Sequence, residues 1–280
     1  MDGNGKERFV QNYSGEENVK FTLDNWLPWY NKILGTFGYN FDEDQQAADL
    51  LSVLLVGRAG QVAELRKLIE NRPVLVFGAG PSLEADLREV IREGLLQKTV
   101  TIVADGATTA FVEKSGTAPS IIVTDLDGTV SDIIYAQNLG SIVVIHAHGD
   151  NIDKLKRHVP EFSKAIGSTQ VHPRSNVHNF LGFTDGDRAV FLAAGMGAKL
   201  IAVAGMDFGY TVGKYSKKRV ASIEVKRKKL KIGKELLEWL AVENGEKIKL
   251  YNVTFKGENI KGFTNIKPAV LQKFLNCETS

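Results

Sequence analysis

The chain has a single cysteine, Cys277, so neither an internal disulfide nor a thiolate metal cage is open to it. No apolar run approaches the roughly 18 residues of a membrane span. The opening residues 1–20 are polar, without the apolar segment of a secretory signal, so a cytoplasmic protein without membrane contact is expected. Internal repeats and low-complexity tracts are missing as well, which excludes solenoid architectures. Net charge is small, +2, but unevenly spread: from Gly213 to Lys234 ten Lys/Arg stand against one acid, Glu224, and the remainder is acidic on balance. That pattern suits one local polyanion contact better than a general nucleic-acid surface. Tyr215 is the one aromatic in the basic stretch, which argues against base stacking on RNA or DNA.

What remains is a globular composition, 43% hydrophobic over 280 residues, sufficient for a large core. Residues 1–20 show no periodicity and are expected to be loosely ordered. From Phe21 to Ile69 the spacing is helical: Trp26, Trp29, Tyr30 and Ile33 recur every three to four residues. Ala47, Leu50, Leu51, Leu54 and Leu55 repeat the pattern after the acidic start Asp42-Glu43-Asp44, and Val62 to Ile69 forms a third segment. Tryptophans at this spacing read as core rather than as cofactor stackers.

At Pro73 the period changes. Short β-branched runs now alternate with helical patterns: Val74–Phe77, Val100–Ala104, Ile121–Val123, Ile142–Ile145, an irregular strand within Ala165–Val171, and Leu200–Ala204. Most end in glycine beside a carboxylate. The expected fold is therefore α/β, a Rossmann-like, doubly wound and mostly parallel sheet, with an N-terminal helical layer and a C-terminal basic helix and strand extension. Its parts are expected at 1–71, 72–212 and 213–280.

In such a sheet ligands bind beyond the carboxyl ends of the strands. Gly78-Ala-Gly80-Pro-Ser82 follows the first strand and opens a helix, a candidate phosphate cradle. Asp105-Gly106 follows the second strand. The third ends in Asp125-Leu-Asp127-Gly128, two carboxylates at one strand tip that can share a hard cation such as Mg²⁺. His146-Ala-His148-Gly-Asp150-Asn151 follows the fourth, and Thr184-Asp185 can cap the helix that carries Arg188. His146 and His148 share a strand face, yet a transition-metal site needs a third ligand. Asp207-Phe-Gly209 has the letters of a kinase motif, but the other kinase motifs are missing.

Three of these stretches, in this order, resemble the thiamin pyrophosphokinase group: Ala104-Asp105-Gly106-Ala107, Pro119 to Gly128, and Thr184-Asp185-Gly-Asp-Arg188-Ala189. With Gly78 to Leu83, His146 to Asn151 and the helical N-terminus added, the chain resembles more closely the archaeal 6-hydroxymethyl-7,8-dihydropterin diphosphokinase family. A related module is similar to part of bacterial flagellin-modifying glycosyltransferases. Two departures argue against thiamin: Gly128 stands where the thiamin group has serine, and the C-terminal tail is short for that group's β-sandwich.

The resemblance implies transfer of the β,γ-diphosphoryl unit of ATP to the pterin's hydroxymethyl group, releasing AMP, in biosynthesis of a folate or tetrahydromethanopterin kind. It implies Mg²⁺ on Asp105, Asp125 and Asp127, with Asp125, Asp127 and Asp185 catalytic. Gly78, Gly80, Ser82, Asp105, Gly106, Arg188 and Lys214 would hold the nucleotide, and Asp150, Asn151, Thr184 and Asp207 the pterin. The basic stretch would close over the triphosphate as a lid, and a homo-oligomer is left open. The alternative is a haloacid-dehalogenase-type phosphatase, whose signature Ile121 to Thr129 also resembles, with Asp125 as nucleophile and Asp127 as acid/base. A nicotinamide oxidoreductase with Asp105 on the ribose leaves Asp125 and Asp127 unexplained.

Overall fold

A computed structural model describes residues 22–209, 213–215, 222–244 and 247–277. Residues 1–20, and Lys217, Lys218 and Arg219 of the basic stretch, lie outside the described residues. The helical layer is α1 (Leu23–Phe37), α2 (Phe41–Leu54) and α3 (Val62–Ile69). There follow β1 (Pro73–Phe77), α4 (Leu83–Arg92), β2 (Val100–Ala104), α5 (Ala107–Ser115), β3 (Ile121–Thr124), α6 (Val130–Asn138) and β4 (Ile142–Ala147). Next come α7 (Ile152–His158), β5 (Ile166–Thr169), β6 (Val177–Asn179), α8 (Asp185–Gly195) and β7 (Leu200–Ala204). The chain closes with α9 (Ile223–Asn244), β8 (Lys249–Asn252), β9 (Thr264–Asn265) and α10 (Pro268–Cys277).

Among the described residues nine strands form one sheet in the order β6-β5-β4-β3-β2-β1-β7-β8-β9, and every neighbouring pair is parallel. The alternation of β-branched side chains along β1 divides the core. Val74 and Val76 pack with α1, α2, α8 and α9 on one face, while Leu75 and Phe77 pack with α4, α5 and α10 on the other. Both faces are dry, so each such side chain contributes roughly 1.5–3 kcal/mol of burial.

The sheet runs past the boundary expected at 212: α9 is the crossover from β7 to β8, and β8 and β9 extend the same sheet. Strands β6 and β9 are additions that periodicity did not show, since three and two residues are too short to display a pattern. The chain builds outward from β1 to β6, then returns at β7 on the other side of β1. The reversal of winding therefore lies between β1 and β7, with the strand tips of β1 to β5 beside it. Among the described residues no helix is long and apolar enough to cross a membrane.

Candidate active site

The tips of β1 to β5 and the start of α8 open on a cavity of about 900 Å³. The turn after β3 lines it with Asp125 and Asp127. Leu126, buried between Asp125 and Asp127, adopts a left-handed φ of 63°, a conformation that costs a branched side chain about 1–2 kcal/mol and persists only where neighbours enforce it. They do so here. The Leu126 amide donates to Thr124 Oγ1 at 2.8 Å, and the Asp127 amide donates to Asp125 Oδ1 at 3.2 Å. Thr124 Oγ1 donates in turn to Asp105 Oδ1, and the Asp105 amide donates to Val123 O at 2.8 Å, so the β2 and β3 carboxylates are locked together.

Asp105, Asp125 and Asp185 bring one carboxylate oxygen each to within 4.8 Å of one another, the one such cluster among the described residues. Burial, and then the charges of Asp125 and Asp105, push the Asp185 carboxyl well above the usual aspartate range. Three converging hard oxygen donors in a partly closed site are the donor set that suits Mg²⁺, which keeps several waters and takes substrate phosphate oxygens on its remaining positions. The cluster differs in one member from the expected trio, although Asp127 also lines the cavity. Asp127 turns aside and pairs with Lys154 of α7, while Asp185 completes the cluster.

Beneath the cluster lies Arg188, fully buried. Its Nη1 donates to Leu181 O at 2.9 Å and Nη2 to Phe183 O at 3.3 Å, while burial lowers its pKa against the opposing pull of Asp187 and Asp185. Arg188 does not line the cavity; it is a counter-charge under the floor, not the phosphate contact expected of it. Asp187 fixes the same turn, accepting from the amides of Phe183 at 2.8 Å and Thr184 at 2.7 Å. Thr184, the N-cap of α8, lines the cavity but spends its hydroxyl on Asp187.

The glycine loop after β1 also differs from expectation. The Gly78 and Gly80 amides donate to Ala204 O and Gly205 O at 2.9 and 2.8 Å, and the Ser82 amide donates to Asp207 Oδ1 at 3.2 Å. These three N–H groups are committed to the β7 loop, so the anion at the start of α4 is the protein's own Asp207. A Cβ on Gly80 would lie 2.0 Å from Asp207 Oδ2, so the glycine serves close approach of two loops. Ser82 is buried behind the loop and does not reach the cavity, whereas Gly78, Gly80 and Asp207 do. Residues 213–215 cross over these tips: Lys214 and Tyr215 line the cavity, and the Tyr215 hydroxyl donates to Glu84 at 2.6 Å. Gly106 is covered by the same crossing, since a Cβ there would meet Tyr215 O at 2.2 Å.

On the β4–β5 side the wall comes from α2. Buried Asp44 accepts from Tyr30 Oη at 2.7 Å, from Gln170 Nε2 at 2.6 Å and from the Gly149 amide at 2.7 Å. Burial and the Asp44 carboxylate together raise the Tyr30 pKa, keeping that hydroxyl a donor. Asn151 is buried, donating to Asp125 O at 3.0 Å and His146 O at 2.7 Å; it ties the loops together and does not face the cavity as expected of a pterin contact. Asp150 does line it. His146, buried beside Ser168 Oγ at 3.2 Å, is held neutral by burial with its pKa well below the usual value. His148 Nδ1 accepts from the Asp150 amide at 3.2 Å, which leaves Nε2 as the donor, 3.6 Å from Asp125 Oδ2. The histidines are wired to the carboxylate edge but do not belong to the carboxylate cluster.

A further wall comes from α9: Val225, Lys226, Lys229 and Leu230, at helical spacing, line the cavity, as does Ser222 just before the helix. Sequence reasoning found the basic stretch but not which lysines face inward. It also missed Tyr39, Glu43, Asp44, Gln170 and Phe183, whose place depends on packing between segments over a hundred residues apart in sequence.

A family model described as 6-hydroxymethylpterin diphosphokinase MptE-like matches residues 51–213. A protein of Pyrococcus furiosus named 6-hydroxymethyl-7,8-dihydropterin pyrophosphokinase is 44% identical over 231 residues, 80% of this chain and 96% of that protein. One of the same name from Methanothermobacter thermautotrophicus is 44% identical over 228 residues, 79% of this chain and 95% of its own length. The solved MAf glycosyltransferase of Magnetospirillum magneticum AMB-1 superposes with a TM-score of 0.50 at 13% identity, covering 82% of this chain and 41% of that one, a likeness of fold alone.

Proposed function

The chain belongs to the MptE-like family of 6-hydroxymethylpterin diphosphokinases, and we propose that it transfers the terminal diphosphoryl unit of ATP to the hydroxymethyl group of 6-hydroxymethyl-7,8-dihydropterin, releasing AMP. The observation that carries the chemistry is the convergence of Asp105, Asp125 and Asp185 in a cavity that Lys226 and Lys229 also line. Carboxylates and ammonium groups lining one cavity suit a polyphosphate bridged by a divalent cation. Such transfers depend on charge neutralisation and in-line placement rather than on a covalent enzyme intermediate.

In this reading Asp105, Asp125 and Asp185 would hold Mg²⁺, which would supply neutralisation of phosphoryl charge. Lys226, Lys229 and Lys214 bind phosphate oxygens in the role first expected of Arg188. Buried Arg188 offsets only part of the repulsion among the carboxylates: Asp185 still stands well above the usual aspartate range, so a bound cation would displace its proton. Asp127, steadied by Lys154, accepts a hydrogen bond from the attacking hydroxyl. The rival phosphatase reading is not favoured: the relatives are named pyrophosphokinases, and Asp125 is engaged in the carboxylate cluster rather than standing alone as a nucleophile.

The test is incubation with ATP, Mg²⁺ and the pterin, with separation of nucleotide products. AMP formed only in the presence of pterin supports the reading; phosphate released from monoesters without AMP would overturn it.

A further inference from the structure

Beside the carboxylate cluster lies an aromatic surface that the transfer chemistry leaves unused. Phe37 and Tyr39 stack with centroids 5.4 Å apart, Phe37 and Phe183 lie 5.2 Å apart, and Tyr39 and Phe183 lie 6.5 Å apart. The Lys229 ammonium sits over all three, 5.4 Å from the Tyr39 centroid, 5.7 Å from Phe183 and 5.9 Å from Phe37. Tyr39 and Phe183 face the cavity and are half-buried. Three rings around one cation form a cage whose electron-rich faces accept either a cation or an electron-poor flat ring.

Resting on the function proposed above, we infer that Tyr39 and Phe183 form the platform on which the bicyclic ring of the acceptor stacks, and that Lys229 occupies the guest position when the acceptor is absent. The choice of acceptor over adenine follows from chemical lengths. The attacking hydroxyl is separated from the pterin ring by one carbon, so the ring must lie beside the reacting phosphorus. Adenine is separated from the β-phosphorus by a ribose and the α-phosphate. Phe183 stands two residues before Asp185, so their Cα atoms are at most about 7 Å apart, and Asp187 and Arg188 hold the Phe183 amide and carbonyl to α8. A platform fastened to the carboxylate cluster at this range fits the short acceptor. When the acceptor enters, the Lys229 ammonium moves off the rings toward the phosphoryl oxygens, which couples filling of the platform to completion of the phosphate contacts.

The experiment is titration of 6-hydroxymethylpterin by its own fluorescence, which stacking quenches, and of ATP by calorimetry, on the full chain and its variants. Tyr39→Leu and Phe183→Leu keep apolar bulk but remove the π face; each is expected to weaken pterin binding about tenfold, with ATP binding unchanged and KM for pterin raised more than kcat falls. Phe183→Tyr, which keeps the ring, is expected to bind pterin like the parent. Loss of ATP affinity with pterin unaffected would assign the platform to adenine and overturn the inference. No change in either ligand would reduce the rings to an anchor for Lys229 and overturn it too. A parent protein that binds and converts no pterin fails the functional reading itself, an outcome distinct from either.

Discussion

Asp207 stands at the start of α4 and accepts from Ser82 twice, from the amide at 3.2 Å and from the hydroxyl at 3.0 Å. A carboxylate in this place satisfies the amide of the N-cap residue and suits the positive end of the helix dipole. It sits where the winding of the sheet reverses, the place at which open α/β sheets usually take a ligand's phosphate. Under the function proposed, a nucleotide would rely on the carboxylate cluster and the α9 lysines more than on the glycine loop. Asp207→Ala is expected to cost about 1–2 kcal/mol in urea unfolding with little change in KM for ATP or for the pterin. A variant of parental stability that no longer binds the pterin would return Asp207 to the acceptor contact expected from sequence.

The cation cluster is tested by three single substitutions. Asp125→Asn and Asp185→Asn are each expected to lower kcat by on the order of 10²–10³ and to raise the Mg²⁺ concentration needed for half-maximal rate. Asp127→Asn is expected to lower kcat while leaving that Mg²⁺ dependence in place. Equal Mg²⁺ responses for the Asp127 and Asp185 variants would restore the assignment expected from sequence.

Gly128 illustrates why one departure from the thiamin-group pattern carries meaning. A Cβ at this position would lie 2.8 Å from Asp105 Oδ2 and 3.0 Å from its Cγ. Gly128→Ser is therefore expected to push the Asp105 carboxylate off the cluster, weakening Mg²⁺-supported turnover at least tenfold, while stability falls by only about 1–3 kcal/mol. Rates measured against Mg²⁺ concentration, beside a melting curve, separate the two effects.

Buried His178 in β6 has its pKa lowered by desolvation to about 4, against 6.5 for an ordinary histidine. The folded-state value lies below the unfolded one, so the stability it supports is complete above about pH 6.5 and is lost as pH falls toward 4. The difference amounts to about 3 kcal/mol across that window. His178→Leu is expected to flatten the fall of the urea midpoint between pH 6.5 and 4; an unchanged slope would show that the imidazole reaches water in the native state.

Lys226 and Lys229 differ in prospect. Lys226→Met is expected to raise KM for ATP several-fold and to reduce its sensitivity to salt, since a phosphate contact is screened by added ions. Initial rates at two ionic strengths decide this; a variant indistinguishable from the parent would remove α9 from the triphosphate site.

Much of the architecture was legible because both faces of the sheet are buried. The strands β1, β2, β3, β4 and β7 are apolar runs bounded by glycine and aspartate, and their tips carry the carboxylates that the resemblance named. What sequence could not show was direction. Asp125 and Asp127 look equivalent as letters, but the left-handed turn at Leu126 points one into the cluster and the other toward Lys154. Arg188, Ser82 and Asn151 have the chemistry of ligand contacts, yet each is used inward on backbone or on Asp207, a choice set by packing. Trp26 read as core and is core, although its Nε1 also donates to Gln170 O at 2.9 Å and so steadies the β5 tip.

The Asp44 junction sets a limit on how far this protein can be trimmed. A chain shortened to begin at Pro73 would keep β1 to β9 but lose the carboxylate that joins Gln170 to the Gly149 amide. That side of the cavity would then stand open, with two polar groups facing solvent or collapsing onto each other. A minimal catalyst made from this scaffold has to start before α1, because the helices that resemble a preface are one wall of the reaction vessel.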